Sequence, residues 1–211
     1  MVYAVSADVA LSEWSSAHES SDYSQDVTEC DRLAAHPDDP RRVSPGLGQA
    51  SMDLRLAIGA CRADLADDPD NPRLLYQLAR ALTYAGEIEE GLPLLARASA
   101  LEYPQALFVE GYLYLTGLYG AEQDVCRAGD LILRSARLGR LAGQVGFPAY
   151  VLEDRFVGCA VEQNPTELLE MLKAAQRTRL DFYADLLVGL LIRELSRDAS
   201  SAASVSTLGA Q

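Results

Sequence analysis

A near-repeat in the middle and later part of the chain restricts its fold more than any other feature. The pair Arg97-Ala98 recurs as Ser135-Ala136, 38 residues on, and as Ala174-Ala175, a further 39 on, while stepping back by 34 reaches Ala63-Asp64. Each of these pairs closes a segment with apolar residues at spacings of three and four, the mark of a helix buried on one face. The stretch from Pro72 to Tyr103 is the clearest. Leu75, Leu78 and Leu82 are followed, after Gly86, by Ile88, Leu92, Leu95 and Ala98. Asn71 is placed to cap the first helix, Pro72 suits a first turn whose N–H has no helical partner, and Gly86 can take the left-handed backbone that ends a helix. The spacing predicts helical units near 51–68, 72–102, 104–140 and 142–179, with DFYADLLVGLLIREL as a closing helix. Hairpins of this size bury their apolar faces only against the next hairpin, so the period predicts an all-α solenoid.

Composition narrows the partners. The 211 residues carry 18 basic and 31 acidic side chains, a net charge of −13, with 49% apolar residues. That excess of carboxylate repels phosphate backbones and anionic headgroups, so no nucleic-acid partner is expected. No apolar run approaches the roughly 20 residues of a membrane span. The first 29 residues lack Arg and Lys and are rich in Ser and acid, the profile of a solvated tail, and ASSAASVSTLGAQ closes the chain in similar style. The expected organisation is a disordered acidic tail over 1–29, a repeat solenoid over 30–195 and a disordered tail over 196–211. Asp8 interrupts the only apolar beginning, so no general secretory signal is read there.

Leu75, Leu78, Ala79, Leu82, Gly86, Ile88, Leu95 and Ala98 make Pro72–Tyr103 resemble a tetratricopeptide repeat. Gly91 and Pro93 depart from that pattern, and Pro93 predicts a second helix that starts late or bends. The next unit is similar to the Sel-one-like variant through Ala106, Gly111, Tyr114, Gly117, Gly120, Asp124, Ala128, Ala136 and Gly139. Glu110 stands where that family places an apolar residue, which calls for a buried partner or a local rotation. In the third unit Gly143, Gly146 and Pro148 interrupt the expected first helix, and ELLEMLKAAQRTRL restores the second. The leader CDRLAAHPDDPRR and the half-repeat LAIGACRADLADDPDNP resemble the segment preceding Sel-one-like arrays in many bacterial proteins. The resemblance spans about 30–195 and implies a right-handed α-solenoid of stacked helical hairpins.

Catalytic signals are thin. Cys30, Cys61, Cys126 and Cys159 lack the C-x-x-C spacing of a metal or redox site, and each reads as a small buried hydrophobe, with a Cys30–Cys61 bridge as the alternative. Such a bridge would imply an oxidising compartment, periplasmic or secreted rather than cytoplasmic. Cys30 and His36, with Asp31, Asp38 or Asp39 as orienter, are the one conceivable nucleophile and base, but no Gly-rich oxyanion element accompanies them, and His36 reads as a surface residue. No phosphate loop, nucleophile elbow or dinucleotide fingerprint is present, so neither enzyme activity, cofactor nor metal is expected. The run Asp67-Asp68-Pro69-Asp70 has Leu78 at the twelfth position, where a calcium loop needs Glu, and reads as a turn and cap.

The family likeness implies that first helices line a concave groove. The matching positions are Arg73, Tyr76, Arg80, Thr83 and Tyr84, then Gln105, Phe108, Tyr112, Leu115 and Thr116. Arg73, Tyr76, Arg80, Tyr84, Gln105, Phe108 and Tyr112 are the expected partner-binding residues, because rigid rings and guanidinium forks carry much interface energy; packing against neighbouring helices is the competing account. Arg127, Arg134, Arg137 and Arg140 form a second basic patch, open to an acidic partner, to the chain's own acidic tail or simply to solvent. The functional expectation is a non-catalytic scaffold or adaptor that holds a peptide or protein in its groove. The alternatives are an exported bacterial effector or envelope protein on the same scaffold, and a cysteine-dependent hydrolase accessory domain.

Overall fold

A computed structural model describes residues 23–178 and 180–208, and contains nine α-helices and no strand among them. They are α1 (Glu29–Ala34), α2 (Leu54–Asp67), α3 (Pro72–Ala85), α4 (Ile88–Ala100), α5 (Pro104–Thr116), α6 (Val125–Arg137), α7 (Leu141–Leu152), α8 (Pro165–Gln176) and α9 (Phe182–Leu208). The hairpins α3–α4, α5–α6 and α7–α8 stack in chain order, with α1 and α2 against α3 at one end and α9 against α8 at the other. This is the α-solenoid that the period requires.

Local chemistry sets the helix ends. Asn71 Oδ1 accepts from the amides of Arg73 and Leu74, and Asn164 Oδ1 does the same for Thr166 and Glu167; each is followed by a proline in the first turn. Gly86 ends α3 at φ 85°, a backbone that a side chain would strain. Close helix approach explains two departures from the repeat pattern. A Cβ at Gly91 would lie 3.1 Å from the Ala79 carbonyl oxygen on α3, and one at Gly143 would lie 2.8 Å from the Ala136 backbone nitrogen on α6.

Of the expectations about breakers, the late start is corrected: α4 is helical from Ile88, five residues ahead of Pro93, and continues through it. The carbonyl that Pro93 leaves without a partner belongs to exposed Glu89, where water can satisfy it. The first helix of the third hairpin is likewise continuous, because its glycines let α7 pack on the α6 backbone and Phe147 and Pro148 are buried in the core beneath.

The core runs as clusters between successive layers. Leu74, Leu78, Ala81 and Leu82 of α3 meet Cys30, Ala34, Ala57, Ile58 and Cys61. On its other side α3 brings Leu75, Tyr76 and Ala79 against Leu95, Ala98, Tyr103 and Ala106. Ile132, Ala136, Phe147, Phe156, Leu168 and Leu172 form the far cluster, which α9 closes with Val188 and Leu195. Disulfides join Cys30 to Cys61 and Cys126 to Cys159, with Cα atoms 4.4 and 5.1 Å apart. The second bond corrects the reading of Cys126 and Cys159 as unbonded hydrophobes. Each bond closes a loop of 31 or 33 residues, which in the chain-entropy picture stabilises the fold by about 3.7 kcal/mol.

Residues 1–22 of the acidic tail lie outside the described residues, but its last residues, from Tyr23, run along α3. At the other end α9 continues past Leu195 to Leu208, and residues 209–211 lie outside the described residues.

Candidate functional site

The surface that first helices should present to a partner is, over α3, already covered by residues 23–48 of the chain itself. Every residue from Pro72 to Leu82 is buried. Two guanidinium groups, seven residues apart and thus two turns along one face, hold the covering segment. Arg73 Nε and Nη2 donate to the two carboxylate oxygens of Asp31 at 2.8 and 3.1 Å, while Nη1 reaches the Ser24 carbonyl at 2.9 Å and Nη2 also reaches the Asp26 carbonyl at 3.0 Å. Arg80 donates to the carbonyls of Ala34 and Ala35, both at 3.0 Å, and of Leu47 at 2.6 Å. Arg73 thus pairs with one carboxylate and two backbone carbonyls of the leader, and Arg80 takes the carbonyls at the C-terminal end of α1 together with that of Leu47.

Asp31 is the centre of this network. It is fully buried and also accepts from Gln77 Nε2 at 2.9 Å and from the Thr28 amide at 2.9 Å. Farther along, the loop after α1 inserts Asp39, whose carboxylate accepts from Tyr103 Oη at 2.6 Å and from the Arg41 amide at 2.9 Å. Burial raises the Asp39 carboxyl above its ordinary value, with the Tyr103 hydrogen bond opposing. Burial also lowers His36 to about 4, helped by the Arg80 and Arg140 charges. The geometry agrees: His36 Nδ1 accepts from the Asp38 amide at 3.0 Å, which requires that nitrogen to carry no proton. His36 is therefore half-buried and neutral, not the surface residue expected.

Of the seven expected partner-binding residues, Arg73, Tyr76, Arg80 and Gln105 are buried. Tyr76 lies 5.8 Å from Tyr103 ring to ring, and its hydroxyl accepts from Gln105 Nε2 at 3.1 Å. Tyr84 is half-buried under the Arg80 guanidinium. Of the seven, Tyr112 alone is exposed, at 40%, and half-buried Phe108 stacks beside it with ring centroids 6.4 Å apart. Arg140, at the start of α7, sits over the Phe108 ring at 5.5 Å. It is buried, and its Nε has no hydrogen-bond partner. Gly146 on α7 leaves room between Phe108 and half-buried Tyr150, so α5 and α7 together present an aromatic ledge of Phe108, Tyr112 and Tyr150.

Cys30 is buried and bonded to Cys61, so in this structure it offers no free thiol to act as a nucleophile. Among the described residues no group of three or more His, Cys, Asp or Glu side chains is placed to hold a metal ion, and no helix is long and apolar enough to cross a membrane. Three of the four arginines of the basic patch are engaged in ion pairs. Arg127 pairs with Glu110 at 3.3 Å and lies 4.2 Å over Tyr114, which supplies the partner that Glu110 needed. Arg134 pairs with Glu102 and Asp130, and Arg137 pairs with Glu162 at 2.6 Å and Glu167 at 2.7 Å.

Sequence reasoning missed Gln77 and Tyr103, and it gave Asp31 and Arg140 other roles, the first as an orienter beside Cys30 and His36 and the second as part of a basic patch. One signal was available: Thr28 and Asp31 stand in the spacing of a capping box, and both of its hydrogen bonds form.

No family model matches the chain, and no curated protein matches it. Among solved structures it is similar to a Sel1 repeat protein from Oxalobacter formigenes, with a TM-score of 0.51 and 18% identity over 74% of this chain. The match covers 42% of that protein. The likeness is one of fold, and it agrees with the hairpin stack as a Sel1-like α-solenoid.

Proposed function

We propose that the solenoid of residues 30–195 is a non-catalytic scaffold that holds an extended peptide segment of a partner protein on the ledge formed by α5 and α7. The observation that carries this reading is the chain's own leader. At Arg73 and Arg80, first-helix side chains hold it through backbone carbonyls, those of Ser24, Asp26 and Leu47 and the last carbonyl of α1. Past the leader, Phe108, Tyr112 and Tyr150 offer stacked rings, with the Arg140 charge beside them. Rings of this kind bury area at small entropic cost and recur among the residues that dominate interfaces. Arg73, Tyr76, Arg80 and Gln105 then serve the partner indirectly, by fixing the leader that forms one wall. The net charge of −13 argues against a nucleic-acid occupant.

Two disulfides favour an oxidising compartment, so the same scaffold is read as a periplasmic or secreted bacterial protein. Peptides selected from a displayed library on the full chain, with disulfides intact, test the ledge. Replacing Phe108 and Tyr112 by Ala should weaken selected peptides by about 30-fold or more, the loss of one hot spot. Equal binding by the double variant, or no enriched peptide at all, would overturn the reading.

A further inference from the structure

One buried cation of the groove has no partner within the described residues. Arg140 is 5% exposed, its Nε is enclosed without an acceptor, and no hydrogen bond or ion pair reaches its guanidinium. Arginine is almost never buried unless paired, because its charge gives up water and needs something in exchange. The Phe108 ring, 5.5 Å away, meets only part of that need. Burial lowers the pKa of the guanidinium, with Tyr76, Asp38 and Asp39 near enough to oppose. Neither acid pairs with it: Asp39 is taken by Tyr103 Oη and the Arg41 amide, and Asp38 is exposed.

Two neighbours are left open in the same way. Gln105 of α5 donates Nε2 to the Tyr76 hydroxyl but keeps a buried Oε1 without a donor. Gln144, four positions after Arg140, is buried, and its side-chain amide has no hydrogen bond among the described residues. Gln105 precedes Phe108 by three positions and so shares its face of α5. Phe108 links the polar groups to the ledge, since its ring lies under Arg140, stacks beside Tyr112 and nears Tyr150 across Gly146. The local charge is positive. Arg80 and Arg140 both act on His36, and Arg80 donates to carbonyls and the Tyr84 hydroxyl but to no carboxylate. In a chain of net charge −13, two guanidinium groups here have no acid paired with them.

We propose that Arg140 is the seat of a carboxylate, carried on an Asp or Glu side chain of the peptide that lies on the ledge. The inference rests on the reading of α5 and α7 above and names the class of partner, an acidic segment with an apolar or aromatic residue near the acid. The carboxylate accepts from the guanidinium fork, a charge-assisted bond about twice as strong as a neutral one. The apolar neighbour enters beside Phe108 and Tyr112. Gln105 Oε1 and the Gln144 amide remain for the peptide backbone next to the acid. The chain shows the same chemistry at its first hairpin, where the Asp31 side chain of the leader meets Arg73. That precedent selects a side chain over a chain terminus as the source of the carboxylate.

Three measurements on the full chain, disulfides intact, test the seat. Sodium acetate is the minimal probe: it should move the Arg140 Nε–H resonance, assigned by its loss in Arg140→Met, whereas sodium chloride at equal ionic strength should not. Peptides enriched from the displayed library, resynthesised with acetylated and amidated ends, should carry an Asp or Glu whose change to Asn or Gln weakens binding about tenfold or more. In Arg140→Met that change should have no further effect. Arg140→Met should also leave the urea midpoint of the free chain unchanged or raised, because it removes a buried charge that has no partner. An unmoved resonance, or a lowered midpoint, would overturn the proposal. Enriched peptides indifferent to Arg140 would overturn it and leave the ledge standing, whereas acetate binding with no enriched peptide would support the seat and overturn the ledge. Loss of binding on amidation alone would overturn the side-chain source in favour of a free C-terminus. A resonance that moves in the full chain carrying Asp8→Asn, Glu13→Gln, Glu19→Gln and Asp22→Asn would overturn the partner, since residues 1–22 would then be the occupant.

Discussion

Replacing Asp31 by Ala tests whether the leader is part of the folded core. Both side chains of the Arg73–Asp31 pair are wholly buried. The substitution removes the acceptor of two Arg73 bonds, one Gln77 bond and the Thr28 cap, and leaves a guanidinium charge with the Ser24 and Asp26 carbonyls alone. Stranding one partner of a buried pair costs about 3–5 kcal/mol, and the lost cap adds about 1. The expected loss is therefore about 4 kcal/mol or more, a large share of the 5–15 kcal/mol typical of a domain. In urea, with a slope of about 2 kcal/mol per molar, the midpoint should fall by about 2 M. Removing both charges in Arg73→Met with Asp31→Leu should cost about 1–2 kcal/mol, because an apolar pair needs no partner and water can reach the carbonyls of exposed Ser24 and Asp26. The cycle then gives a coupling above about 2 kcal/mol. A midpoint shift below 0.5 M for Asp31→Ala, or additive single variants, would show that the leader rests on the groove without belonging to the core.

Two other outcomes follow from single positions. His36 is held neutral down to about 4 in the fold, whereas an unfolded chain takes up its proton near 6.5. Stability is thus full above pH 6.5 and is lost as the pH falls towards 4, by at most about 3 kcal/mol and less with solvent screening. His36→Gln should flatten that part of the urea-midpoint profile relative to wild type, and an unchanged pH 4–6.5 difference would refute the assignment. Gly143→Ala gains about 1 kcal/mol in helix propensity but drives a methyl to 2.8 Å from backbone on α6, so calorimetry should register a net loss of about 1–2 kcal/mol. A gain would mean that α6 and α7 can part without cost.

The hairpins were legible because their signals are local. Asn71-Pro72, Gly86 and the three-and-four spacing of leucines act within one turn, and the helices begin and end where they say. Pro93 and Pro148 misled because tertiary packing overrides a breaker when the orphaned carbonyl is hydrated or the neighbouring glycine admits a close approach. The expected groove residues fall on the first helices α3 and α5, yet the segment that covers α3 was hidden. Nothing in the composition of 23–48 reports that its carbonyls will meet Arg73 and Arg80 from 33 to 49 residues away. The second disulfide had a fainter trace: Cys126 and Cys159 are 33 apart, close to the 31 of Cys30 and Cys61, as expected if each bond recurs with the repeat.

The end repeat of a solenoid lacks a neighbour on one side, and an uncovered face there must be capped or paired. At the first end the leader meets this need. Cys30 ties it to α2, Asp31 and Arg73 lock it by charge, and Asp39 carries it on to Tyr103, so that α3 is buried all round. A segment fixed by a covalent bond and a fully buried ion pair is not displaced by a weakly held peptide. Under the proposed reading, a partner would bind farther along the stack, on α5 and α7, where Tyr112 is exposed. At the opposite end α9 has no equivalent of the leader among the described residues, and its apolar stripe of Phe182, Tyr183, Leu186 and Leu190 stands exposed. The two ends pose one physical problem, which residues 23–48 solve at α3.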